Sequence, residues 1–182
     1  QSISYAEVIH PDDREMVWNI VEAGVQAKHP YHMEYRIQTA NGGVKWGWEQ
    51  GQAIHTETGE LIALEGFVTD ITDRKQAEEA LRRKIVTLQA LAALARAVRR
   101  KSTAMVFAIT GSVGKTSTKD VLAAMVGCVR RTVATAANQN NEIGVPITLL
   151  AIEPDTEAVI VEMGMRGVGQ IAALAEVAEP DI

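Results

Sequence analysis

The sequence predicts an α/β chain with two partial sheets of opposite kind, antiparallel first and parallel second, separated by a long helix. Three observations predict it. Between Tyr31 and Val68, segments of alternating polarity are punctuated by Asn41-Gly42-Gly43 and Glu57-Thr58-Gly59-Glu60, the pattern of antiparallel hairpins. From Phe67 to Thr110 there is neither glycine nor proline, and Arg74 to Arg100 is rich in Ala, Leu, Glu, Lys and Arg, the best helix formers. Beyond that stretch, short apolar runs alternate with helical segments, the order of a parallel sheet with crossover helices.

Taken in order, His10-Pro11-Asp12-Asp13 suits the first turn of a helix running to about Ala27, with Met16, Val17, Ile20, Val21 and Val25 near helical spacing. Tyr31 to Thr39 alternates as a strand and pairs with Val44 to Trp48, and Gly51 to His55 turns into a third strand, Leu61 to Val68. In the long helix Leu81, Ile85, Leu88, Ala92 and Ala95 follow alternating steps of four and three, the spacing of a coiled-coil seam. The stripe fits a homodimer through residues 74–100 or a helix packed on a neighbouring domain, and spacing alone does not choose. Met105 to Ile109 is a short buried strand, followed by a glycine loop and a helix from Lys115 to about Val126. Thr132 to Thr135 and Ala158 to Glu162 are strands, Val145 to Leu150 and Gln170 to Ala178 helices, and a further strand begins at Pro180-Asp181-Ile182.

With 182 residues, 47% of them apolar, the chain can bury the core of one ordinary domain or two small ones. Its net charge of -5 is unevenly shared, with 8 basic and 14 acidic residues through Arg83 and 10 and 9 beyond it. All four histidines and all three tryptophans also fall in the first half. The shift marks two units of different origin, and neither has the basic balance of a phosphate-backbone binder, so no nucleic acid partner is expected. No apolar run approaches the roughly 18 residues of a membrane span, and Gln1 to His10 lacks the order of a signal peptide, so a cytoplasmic chain is expected. The single cysteine, Cys128, excludes an internal disulfide and reads as a buried, inert thiol in a helical segment. His10, His29, His32 and His55 form no compact ligand-spaced cluster and read as surface or turn residues.

The residues that carry chemistry lie between the first parallel strand and its helix, in Thr110-Gly111-Ser112-Val113-Gly114-Lys115-Thr116-Ser117. A glycine loop there gathers backbone N–H groups and a helix N-terminus around an anion, and Lys115 adds charge for the outer phosphates of a nucleotide. Thr116 is suited to place its hydroxyl on Mg²⁺. Two residues separate Gly111 from Gly114, where the strict Walker A pattern has four. Glu162 ends a buried strand at the sheet edge where parallel-sheet ligands bind, within reach of a cation held by the loop.

This short loop, continued by Thr118-Lys119, resembles that of the Mur ligases, ATP-dependent amide-forming enzymes of peptidoglycan synthesis. Two further segments agree, Asn138-Gln139-Asn140-Asn141-Glu142-Ile143-Gly144-Val145-Pro146 and Val161-Glu162-Met163-Gly164-Met165-Arg166-Gly167. Together they resemble the branch that adds D-alanyl-D-alanine to UDP-muramoyl tripeptide. The resemblance implies that Lys115 binds ATP phosphates, that Thr116 and Glu162 hold Mg²⁺, and that Asn138 or Asn141 faces the metal and acyl-phosphate region. It also implies a uridine-nucleotide-binding domain, a mobile C-terminal domain and a central-domain histidine, none of which this sequence holds, since no histidine follows His55. A UDP-muramoyl peptide is therefore expected as a partner only if those domains are supplied, and a complete ligase cycle is not expected of the chain alone.

The first half has its own resemblance. His10-Pro11-Asp12-Asp13-Arg14, Glu34-Tyr35-Arg36, Asn41-Gly42-Gly43-Val44-Lys45-Trp46 and Gly66-Phe67-Val68-Thr69-Asp70-Ile71-Thr72-Asp73-Arg74-Lys75 are similar to the C-terminal half of a PAS sensory domain. The expected organisation is a partial PAS domain over 1–83, a helical connector over 84–103, and the N-terminal part of a P-loop, Mur-ligase central domain over 104–182. No cofactor is assignable to the PAS-like half. Two other readings stay open: a signalling or dimerisation module with a vestigial nucleotide loop, and a truncated or chimeric product.

Overall fold

The structure, a computed structural model, describes residues 5–182, and residues 1–4 of the Gln1 to His10 segment lie outside the described residues. The chain divides into two compact units, Gln1–Leu81 and Arg82–Ile182.

The first unit contains α1 (Tyr5–Val8), a 3₁₀ turn at Pro11–Asp13, α2 (Arg14–Ala27), and strands β1 (Tyr31–Gln38), β2 (Val44–His55) and β3 (Leu61–Asp70). The strands form an antiparallel sheet in the order β1-β2-β3. Asp13 ties the start of α2 to β1: its carboxylate accepts from Arg36 N at 2.8 Å, Arg36 Nε at 2.9 Å and Arg36 Nη2 at 2.5 Å. The alternation of β1 turns Tyr31, Met33 and Tyr35 inward, where they form a core with Ile9 and Val17.

The sequence divides β2 into Val44 to Trp48 and Gly51 to His55, whereas the structure shows one unbroken strand of 12 residues. The glycine at 51 is there for close packing and makes no break, since a Cβ would sit 2.5 Å from the Tyr31 ring, its neighbour across the ladder.

The helix α3 (Thr72–Lys101) is continuous over 30 residues, as its composition predicts. Asp70 starts it by accepting from Thr72 N at 2.9 Å. Arg74 and Lys75 both reach Glu34 at 2.5 Å, and Lys75 lies 5.1 Å over the Trp46 ring. Expected burial of the whole apolar stripe is met only at its C-terminal end. Ala95 and Ala92 pack in the core of the second unit, while Leu81 and Ile85 are 60% and 47% exposed.

The second unit carries a parallel sheet of β4 (Met105–Ile109), β5 (Thr132–Ala134) and β6 (Ala158–Glu162), in the order β4-β6-β5. Its helices are α4 (Lys115–Gly127), α5 (Gly144–Leu150) and α6 (Gln170–Ala178). All five residues of β6 are buried, as a central strand covered on both faces requires. Val106, Val145, Leu149, Val159, Val161 and Leu174 lead the core. No strand is formed at Pro180 to Ile182, although Asp181 N donates to Val106 O and Ala108 N to Ile182 O, both at 2.9 Å, which lays the segment beside β4. Arg99 of α3 anchors this segment through Glu179 O at 3.0 Å and Asp181 Oδ2 at 2.9 Å.

Cys128 corrects its expectation. It is exposed because α4 ends one residue earlier, and its thiol donates back to Ala124 O at 3.2 Å.

Candidate functional site

The loop 110–114 leaves β4 and enters α4 through two left-handed glycines, Gly111 at φ +147° and Gly114 at φ +80°. A side chain at either position would be strained, so the turn that aims the backbone N–H groups of α4 outward depends on glycine. Gly114 is the N-cap of α4, and Lys115, Thr116 and Ser117 form its first turn. Lys115 folds back so that its Nζ donates to Gly111 O at 2.7 Å. Thr110, Ser112, Val113, Thr116 and Ser117 are exposed, which leaves the Thr116 hydroxyl accessible at the helix start.

Glu162 pairs in register with Ile109, so the carboxylate leaves the sheet at the edge from which the glycine loop departs. It is 1% exposed. Its Oε1 accepts from Asn140 Nδ2 at 2.8 Å and its Oε2 is buried without a hydrogen-bond partner. An unpaired carboxylate oxygen is costly in the interior, so this atom is set to receive a cation or a donor. Mg²⁺ takes one or two protein carboxylates and fills its remaining positions with water and phosphate oxygens. Glu162 and Thr116 are oxygen donors of the kind Mg²⁺ takes, and no cluster of three or more His, Cys, Asp or Glu suited to a metal occurs among the described residues.

The asparagine bonded to the carboxylate is Asn140, whereas the family resemblance points to Asn138 or Asn141. Asn141 is engaged elsewhere: its Oδ1 accepts from Ile143 N at 3.1 Å and Gly144 N at 3.0 Å, capping α5. Asn138 is exposed, and its carbonyl accepts from Asn140 N at 2.8 Å. Three asparagines within four residues carry no signal separating cap from ligand holder. Only the turn geometry does so. Asn140 is further clamped by Gly164, whose N donates to Asn140 O at 2.7 Å.

A cavity of about 520 Å³ lies at this edge, lined by Lys115, Asn140, Asn141, Glu142, Gly164 and Arg166 among others. It brings together Lys115 and Asn141 of the expected residues, whereas Glu162, Thr116, Ser117, Asn138 and loop residues 110–114 are not on its wall. Arg166 was not singled out from the sequence.

A larger hollow of about 750 Å³ in the first unit, lined by Trp18, Tyr31, Glu49 and Phe67 among others, is mostly apolar. One of its carboxylates, Glu49, accepts from the hydroxyls of Tyr5 and Tyr35. Burial pushes both phenols far above the ordinary tyrosine range. Size alone does not make it the site.

Comparison with known proteins agrees with this division. Residues 109–182 match the Mur ligase middle domain family, and residues 2–68 match the PAS fold family. A UDP-N-acetylmuramoyl-tripeptide–D-alanyl-D-alanine ligase from Synechocystis sp. is 50% identical over 96 residues, covering 53% of this chain and 21% of the relative. The ligase of the same name from Bacillus subtilis is 44% identical over 95 residues, covering 52% of this chain and 21% of its own. Among solved structures, MurF from Acinetobacter baumannii superimposes with a TM-score of 0.51 at 33% identity, over 52% of this chain and 21% of that one. The chain spans about a fifth of the length of the curated relatives it matches. It joins a PAS-like segment to part of a Mur-ligase-like middle domain.

Proposed function

We propose that residues 104–182 bind ATP with Mg²⁺ and form the nucleotide-binding part of a cytoplasmic amide-forming ligase that adds D-alanyl-D-alanine to UDP-muramoyl tripeptide. The observation that carries this is the orphaned Oε2 of Glu162, held at the sheet edge from which the glycine loop departs. In this reading the first-turn N–H groups of α4 hold phosphate oxygens and Lys115 exchanges Gly111 O for the outer phosphates. Thr116 and Glu162 hold Mg²⁺, and Asn140 fixes which carboxylate oxygen faces it. A Mg²⁺ held by Thr116 and Glu162 would supply neutralisation of charge on a transferred phosphoryl group.

Calorimetric titration tests the reading. Lys115→Ala is expected to weaken MgATP about tenfold or more. Glu162→Gln is expected to abolish the gain in affinity from Mg²⁺ while leaving ATP binding in EDTA unchanged. Equal affinities in wild type and both variants would overturn it.

A second activity, self-association through residues 74–100, is favoured by the exposure of Leu81 and Ile85 on a stripe with four-and-three spacing.

A further inference from the structure

We infer that Lys119 is a positioning residue that sets the metal-binding arm of the site against the phosphate-binding arm, and this rests on the nucleotide and Mg²⁺ reading above. Lys119 lies one helical turn beyond Lys115 on α4 and is 3% exposed. A lysine charge is expensive to bury, so its partners define its purpose. Its Nζ donates to Thr135 O at 2.9 Å and Ala137 O at 3.1 Å, with Asp120 Oδ1 as counter-charge at 3.0 Å.

Both carbonyls belong to the segment that builds the carboxylate's surroundings. Thr135 Oγ1 accepts from Glu162 N at 3.0 Å, so one side of the lysine's contact leads to the backbone of the metal-holding residue. Ala137 has φ +48°, a left-handed conformation that is unfavourable for a non-glycine residue and persists only when its surroundings impose it. The turn that follows, with Gln139 N on Ala136 O at 3.1 Å and Asn140 N on Asn138 O at 2.8 Å, delivers Asn140 to Glu162. Lys119 therefore joins the helix that presents Lys115 and Thr116 to the turn that orients Glu162. Removing its ammonium frees Ala137 to leave the left-handed region and releases Asn140 from the carboxylate.

The test compares wild type with Lys119→Met, which keeps the apolar stem, and Lys119→Arg, which keeps the charge and carbonyl donors. ADP is titrated with Mg²⁺ and with EDTA, and amide exchange is followed over residues 136–143. In Lys119→Met the affinity in EDTA is expected to stay within about twofold of wild type, while the enhancement by Mg²⁺ falls about tenfold or more, the usual effect of losing an outer-shell partner. Exchange over 136–143 is expected to rise about tenfold with α5 unchanged, and Lys119→Arg to restore part of both. A folded Lys119→Met with wild-type Mg²⁺ enhancement and wild-type loop protection would overturn the inference. If wild type binds no ADP, the functional reading fails by itself, and loop exchange alone decides: raised exchange supports positioning and unchanged exchange overturns it. If Lys119→Met does not fold, Lys119→Arg decides, with retained protection over 136–143 in support and lost protection in a folded protein against.

Discussion

Asn140 and Glu162 are joined by one hydrogen bond of 2.8 Å that commits Oε1 and leaves Oε2 buried and free of partners. The bond depends on the absence of a side chain at a third position. A Cβ on Gly164 would lie 2.7 Å from Asn140 Oδ1 and 2.8 Å from its Cγ. Gly164→Ala is therefore expected to destabilise the second unit by about 1–3 kcal/mol through overpacking and to lower the Mg²⁺ enhancement of ADP affinity about tenfold. Gly167→Ala, where a Cβ meets nothing within 4 Å, is the control and is expected to leave both unchanged. Thermal melting and calorimetry read the two effects separately.

Thr135 is 2% exposed and accepts from Glu162 N at 3.0 Å while its own N donates to Ile160 O at 2.9 Å. Thr135→Val keeps the shape and removes the acceptor, leaving a buried N–H unpaired at a cost of about 1–3 kcal/mol. Thr135→Ser retains the hydroxyl and is expected to cost less than the valine. Urea denaturation of the two variants gives the comparison, and equal losses would assign the effect to packing.

Acid should weaken the first unit. The Arg36 hydrogen bonds hold the Asp13 carboxyl below its ordinary value, and Lys75 followed by Arg74 does the same for Glu34. A carboxylate whose folded value is depressed gives stability that is present above its unfolded value, near pH 4, and lost as pH falls through the folded value. Melting of wild type is expected to drop steeply below about pH 4.5, and Asp13→Asn to be less stable at pH 7 yet flatter with pH. A variant as acid-sensitive as wild type would place the sensitivity elsewhere.

Self-association through α3 is checked by sedimentation. Wild type is expected as a dimer, and Leu81→Asp with Leu88→Asp as a monomer, because charges in a dry seam cost several kcal/mol on the order of. A wild type that sediments as a monomer removes the proposal. A double variant that stays dimeric moves the interface off this stripe.

The elements were largely legible because each followed a strong local rule. The strand Ala158 to Glu162 and the helix Gln170 to Ala178 match their expected bounds, and the 30-residue α3 follows from composition alone. Three features were not legible for physical reasons. The strand segments Val44 to Trp48 and Gly51 to His55 read as separate because sequence does not show the Tyr31 ring that fills the space of the missing side chain at Gly51. Cys128 read as buried because helical periodicity does not reveal where α4 ends. Among the site residues, Lys115 and Glu162 stood out by motif and strand position. Asn140 and Lys119 did not, since their roles depend on a left-handed alanine and on hydrogen bonds 16 to 22 residues apart in sequence.

The two outer edges of the antiparallel sheet differ in how they meet water. Beside β1, Ile9 bridges to Ile37 and His10 N donates to Arg36 O, which shields part of that edge. No strand pairs with the outer edge of β3 among the described residues, and all ten of its residues are exposed, Ile62 at 62% and Phe67 at 55% among them. With neither lysine nor proline along it, such a strand is a template for sheet extension. The colloidal behaviour of the isolated chain is then set by this segment more than by its net charge, so precipitation on concentration should precede any loss of fold, and a single Ile62→Lys substitution should raise the solubility limit.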